Sequence, residues 1–179
     1  MSIERLERTL VHRGSRLTLY RDRLRLPGGL EREWDVLEQP AVVVVLPYER
    51  RADGAVDLVF VEQYRYAIGS DLLEFPAGTV EAGEDPALTA RRELAEETGL
   101  GAGRWLALPP VYRMPGTSDE LTHFFVATEL YPTSGHTADP EEAITIKRLS
   151  SVDFEAMIAR GEVRDAKSLC LWLLARPHL

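Results

Sequence analysis

The sequence predicts a mixed α/β domain, a sheet with helices on both sides. Three observations predict it. Ala41-Val42-Val43-Val44-Val45-Leu46 is β-branched and apolar on both faces, as a central strand requires. Asp85 and Pro86 open, and Gly99 closes, a stretch of helix formers. The order along the chain is strands, helix, strands, helices.

The elements follow in turn. Leu17, Leu19, Tyr20, Leu24 and Leu26 stand among Arg16, Arg21, Arg23 and Arg25, an imperfect alternation that predicts partly exposed strands. Pro27-Gly28-Gly29 is a turn, and residues 31–37 form a returning strand. After the central run, Asp53-Gly54 has hairpin chemistry and leads into a strand over residues 56–61. The helix follows over 87–98, with Asp85 as N-cap, Pro86 in its first turn and Gly99 as its stop. Strands are predicted at 105–108, 121–127 and 143–146, and helices at 152–159 and 165–174. Residues 1–40 read as an N-terminal strand region and 41–179 as the main domain, with no repeat or linker between them.

Charge and cysteine usage exclude several function classes. Against 21 Lys and Arg stand 29 Asp and Glu, a formal charge of −8. That sign disfavours nucleic-acid phosphates and anionic membrane as partners. The single cysteine, Cys170, excludes an internal disulfide framework or a cysteine-based zinc site. It reads as a buried small hydrophobe on an apolar helix. With a charged MSIERLERTL start and no long apolar run, the expected location is the cytoplasm.

The chemistry concentrates on the helix. Glu93, Glu96 and Glu97 are spaced i, i+3 and i+4, so their carboxylates leave one face and repel one another. Arg92 relieves only part of that repulsion. Hard divalent ions take several oxygen ligands, so two or three Mg2+ or Mn2+ ions would turn the cluster into a site. Pro76-Ala77-Gly78 forms a tight loop able to add a backbone carbonyl. For an acid-rich helix alone, a solvated face is the simpler reading. The wider spacing overturns it.

Gly78, five residues, Glu84, seven residues, then Arg92-Glu93-Leu94-Ala95-Glu96-Glu97-Thr98-Gly99-Leu100 matches each fixed position of the Nudix box. Seven identities at ordinary residue frequencies arise by chance less than about once in a million chains. The chain therefore resembles the Nudix hydrolases, which implies a Nudix-type α/β/α sandwich around a central mixed sheet. Leu73-Glu74-Phe75-Pro76-Ala77-Gly78, Val61-Glu62-Gln63-Tyr64-Arg65 and Met114-Pro115-Gly116-Thr117-Ser118-Asp119-Glu120 resemble the ADP-ribose pyrophosphatase branch. Pro115 falls where that branch has a proline, about fifteen residues past the box.

The resemblance implies metal-dependent hydrolysis of ADP-ribose to AMP and ribose 5-phosphate. It implies that Glu93, Glu97 and the Ala77 carbonyl bind Mg2+ or Mn2+, with Glu96 a third carboxylate ligand. Glu84 and Arg92 brace the loop against the helix by an ion pair. Glu142, in an acidic loop before a strand, is the implied water-activating base, with Glu141 the neighbouring alternative and Glu120 a third. Arg65 is expected to clamp a phosphate, which a bidentate guanidinium suits. Trp34 resembles the aromatic that stacks on adenine in some members, interface or core packing being the alternative. Ser118 and Glu120 are placed near the terminal ribose. The N-terminal strands imply an intertwined homodimer in which each chain completes its partner's pocket. The alternatives are another nucleoside diphosphate substrate (GDP-mannose, another nucleotide sugar or FAD) or a catalytically silent ligand-binding regulator.

Overall fold

The structure, a computed structural model, describes residues 2–133 and 143–179. The chain divides into two compact units. One takes the residues up to Ala41 together with Val111–Leu121, and the other takes the rest.

The first unit is built on a three-stranded antiparallel sheet of β1 (Glu4–Arg13), β2 (Thr18–Arg25) and β3 (Glu31–Glu38), in that order. The alternation of basic and apolar residues read in the sequence corresponds to β2 and its neighbours. The strand β1 was not separately expected, because its residues are too polar to mark a buried face. Ion pairs across the sheet take the place of burial. Arg8 reaches Asp22 with two bonds of 2.7 and 2.8 Å, and Arg21 reaches Asp35 at 2.8 and 3.2 Å. The turn between β2 and β3 places Gly28 and Gly29 at φ of 94° and 87°, left-handed values that glycine adopts without a Cβ penalty. The 111–121 segment joins β3, with the Leu37 N–H donating to the Thr117 carbonyl at 2.8 Å.

The second unit holds the mixed sheet, in the order β10-β5-β4-β9-β8, with β6 paired to β5 and β7 to β4. Its strands are β4 (Val42–Arg50), β5 (Val56–Arg65), β6 (Ser70–Glu74), β7 (Ala77–Thr79), β8 (Leu100–Tyr112), β9 (Leu121–Pro132) and β10 (Ile144–Ser150). The helices are α1 (Pro86–Thr98), α2 (Ser151–Ala159) and α3 (Ala166–Ala175). Strands β4 and β9 run parallel and the other registered pairs antiparallel, so the sheet is mixed as expected.

The central position of β4 explains its sequence. Val43, Val44, Val45 and Leu46 are fully buried. Val43 and Val45 pack with Ala90 and Leu94 of α1 and with Phe125 and Ala127 of β9. Strand alternation turns Val44 and Leu46 to the other face, where α3 packs on β4. That side also holds stacked Phe60 and Phe75, whose ring centroids lie 4.5 Å apart, and the edge contact of Phe154 on α2 with Trp172 on α3. The domain is an α/β sandwich with helices on both sheet faces. Cys170 departs from expectation: it is only half-buried, and partial burial raises its thiol pKa. Among the described residues no helix is long and apolar enough to cross a membrane.

Candidate active site

The site begins with how α1 is fixed. The Asp85 carboxylate accepts the Ala87 N–H at 2.7 Å, and the Gly99 N–H, at a φ of 69°, closes on the Ala95 carbonyl at 2.9 Å. Ala90 and Leu94 anchor one side of the helix in the core. The remaining side presents the acids toward the strand and loop that precede it.

The three acids occupy different environments. Glu97 is buried, and its Oε2 accepts the Ala77 N–H at 3.0 Å. Glu93 lies directly over Gly78, so close that a Cβ at that position would overlap its carboxylate. Glu96 is the most open of the three, with a side chain 45% exposed. Arg92 sits among them. Its guanidinium reaches Glu93 at 2.8 Å and Glu96 at 3.0 Å, both through Nη1, and Glu84 at 3.2 Å through Nη2. The Glu84 brace is therefore present, and Arg92 offsets more of the repulsion than its position four residues before Glu96 implied. Hydrogen bonds, first from Arg92 and then from Thr89, hold the Glu84 carboxyl down at about 2. Arg92 also donates to the Thr79 carbonyl at 3.3 Å, so one side chain ties the end of β7 and the loop up to Glu84 to the helix.

The donor set fits a hard divalent cation: carboxylate oxygens from one helix turn, beside β7, whose Gly78 admits a carboxylate against the backbone. The tight loop expected at Pro76-Ala77-Gly78 is instead the start of this short strand, because Ala77 and Gly78 pair with Val44 and Val43 of β4. As they stand, no three acidic, histidine or cysteine side chains among the described residues close on a single point. Glu97 is turned to the Ala77 amide, and Glu93 and Glu96 to Arg92.

Arg65, at the end of β5, is engaged edge-on by Glu74, with Nε at 2.6 Å from Oε1 and Nη2 at 2.9 Å from Oε2. Its side chain is 35% exposed. The remaining expected residues fall in the first unit and cluster there. Trp34 is half-exposed, which excludes core packing, and its Nε1 donates to the Gly116 carbonyl at 3.1 Å, one residue from Pro115. Ser118 is buried and donates to Gln39 Oε1 at 3.2 Å, while accepting the Glu120 N–H at 3.1 Å. Glu120 is buried beside Arg113 at 2.7 Å, and its Oε1 has no hydrogen-bond partner among the described residues. Glu142 and its alternative Glu141 lie outside the described residues.

Sequence reasoning passed over Glu74, Asp165, Lys167 and Ser168, which join Arg65 to α3. One signal was present: Glu74 is a lone acid between Leu73 and Phe75.

The fold and this acid set define a class, and comparison with known proteins agrees. The NUDIX domain profile matches residues 37–172. The chain belongs to the Nudix family and is a Nudix hydrolase. It is 31% identical over 159 residues to a Bacillus subtilis protein named ADP-ribose pyrophosphatase, covering 88% of this chain and 84% of the relative. A Mycobacterium tuberculosis protein of the same name is 35% identical over 162 residues, covering 89% and 76%. A crystal structure titled as an ADP compounds hydrolase superposes with a TM-score of 0.85 at 23% identity, covering 100% of this chain and 95% of that one, which supports the fold.

Proposed function

We propose that this Nudix hydrolase cleaves the pyrophosphate of ADP-ribose, giving AMP and ribose 5-phosphate. One observation carries the reading: α1 holds the complete acid set, with Glu93 over Gly78 and Glu97 on the Ala77 amide of β7, in a chain 31% and 35% identical to relatives named for that activity. Glu93, Glu96, Glu97 and the Ala77 carbonyl would hold Mg2+ or Mn2+, two or three ions in all. Bound there, such ions neutralise the pyrophosphate oxygens and orient water.

The chain's own residues supply the rest. Arg65 binds phosphate oxygens through a guanidinium already fixed by Glu74. Glu142 takes a proton as the water oxygen bonds to one phosphorus. The bond from that phosphorus to the bridging oxygen breaks, and the other phosphate leaves with the electron pair. Trp34, with its half-exposed ring, is our candidate for the base, and Ser118 and Glu120, buried in the first unit, are the candidates for the terminal ribose.

We infer a homodimer built through the N-terminal strands. Its support is Ile3, Leu10, Val11, Leu30 and Trp34, each about half exposed on a unit with little core of its own. A single cysteine suits the reducing cytoplasm.

A hydrolysis panel tests the activity. ADP-ribose, GDP-mannose, FAD, NADH and dATP are each incubated with Mg2+ or Mn2+, and the products are separated by chromatography. ADP-ribose is expected to be cleaved fastest. Preference for GDP-mannose or FAD would move the substrate within the family, and exclusive cleavage of dATP would end the assignment. No cleavage of any compound would favour the ligand-binding regulator.

A further inference from the structure

At the end of β6 a carboxylate is buried where an apolar side chain would be expected. Glu74 is 1% exposed, yet two cations reach it. Arg65 approaches from β5 with two bonds, and Lys167 approaches from the first turn of α3, its Nζ 3.1 Å from Oε2. Lys167 and the Arg65 Nη2 therefore share the same oxygen. Lys167 is itself anchored by Asp165 Oδ1 at 2.8 Å. The second Asp165 oxygen accepts the Ser168 N–H at 3.0 Å and its hydroxyl at 2.8 Å, and the Ser168 Oγ accepts the Phe75 N–H at 2.9 Å. Two acids and two bases thus form a neutral, interlocked quartet across β5, β6 and α3.

The quartet is asymmetric. The side chains of Glu74, Asp165 and Lys167 are 1%, 8% and 13% exposed, whereas that of Arg65 is 35% exposed. The buried members thus hold one guanidinium at the surface. Burial would raise the Asp165 carboxyl, but the charge and hydrogen bond of Lys167 and two bonds from Ser168 outweigh it, and its pKa lies below the ordinary value. Fold stability alone is a poor reason for such a cluster, since apolar side chains of similar volume commonly stabilise as well or better. Orientation is a better one. Arg65 presents a planar fork, and its plane follows the plane of the carboxylate it grips. Lys167 is the group that fixes that carboxylate from the other side.

We propose that Lys167 is a positioning residue for hydrolysis, fixing through Glu74 the orientation in which Arg65 meets the substrate's phosphates. The proposal rests on the reading of Arg65 as a phosphate-binding side chain, and it places a determinant of substrate binding on α3.

The test measures kcat and KM for ADP-ribose with Mg2+, together with Tm, on the full chain carrying Lys167→Met, Arg65→Ala or both. Lys167→Met is expected to raise KM about 10- to 100-fold with a smaller change in kcat. The double variant is expected to be no worse than Arg65→Ala alone, because both changes break one arrangement. Asp165→Asn, which removes the charge that anchors Lys167 and keeps both cations, should raise KM in the same direction and serves if Lys167→Met does not fold. A Lys167→Met enzyme with unchanged KM beside an impaired Arg65→Ala would overturn the proposal alone, as would fully additive losses. An Arg65→Ala enzyme with wild-type KM, or a wild-type chain inert toward ADP-ribose, would overturn the underlying reading as well.

Discussion

Gly78 shows how one atom sets the site. A methyl group there would occupy the space of the Glu93 carboxylate, so Gly78→Ala must push that side chain away from β7. Gly78 does not need a left-handed φ, so the substitution costs little in backbone strain. Gly78→Ala is therefore expected to lower kcat/KM by about 10-fold or more, the loss typical of a disturbed metal-site environment. Its Tm should stay close to that of the wild type; wild-type turnover with a normal Tm would show that Glu93 need not lie over Gly78. The acids of α1 were legible in the sequence because their spacing is a local pattern on one helix. Glu74 and Lys167 were not, because their meaning depends on a contact between residues 93 positions apart. No local periodicity announces that an acid in an apolar stretch will meet a lysine from the last helix.

At the scale of elements, α1 was legible at both ends, since Asp85, Pro86 and Gly99 are local chemistry and the helix runs Pro86–Thr98 between them. β8 was less so. The expected strand at 105–108 extends over Leu100–Tyr112, through Pro109 and Pro110. β8 lies at the sheet edge, the position in a sheet where proline is tolerated. The brace between α1 and its preceding loop gives a pH prediction. Glu84 titrates near 4.5 ordinarily and at about 2 in the folded chain. A depressed carboxyl stabilises the fold fully above its unfolded value and loses that contribution as pH falls toward the folded value. The stability difference between wild type and Glu84→Gln, measured by urea titration, should accordingly be constant above about pH 5 and shrink between roughly pH 4.5 and pH 2. A difference that grew on acidification would contradict the pairing with Arg92.

For the whole molecule, the charge of −8 reads differently once the acids are placed. It argues against polyanions in general, yet part of the surplus is the trio Glu93, Glu96 and Glu97. Divalent ions on that trio would reverse the local sign where an anionic pyrophosphate approaches. The half-exposed apolar residues of the N-terminal strands belong to this scale too. Light scattering on the purified chain should give twice the mass of one chain, and a monomer with full activity would rule out the proposed dimer. The proposed role of the α1 carboxylates in ADP-ribose hydrolysis is decided by product analysis of wild type beside Glu93→Gln. Wild type with Mg2+ is predicted to give AMP and ribose 5-phosphate in equal amounts, and Glu93→Gln to be slower by about 100-fold or more while keeping its fold. Equal rates for the two proteins, or ADP-ribose left intact by wild type with either metal, would contradict it.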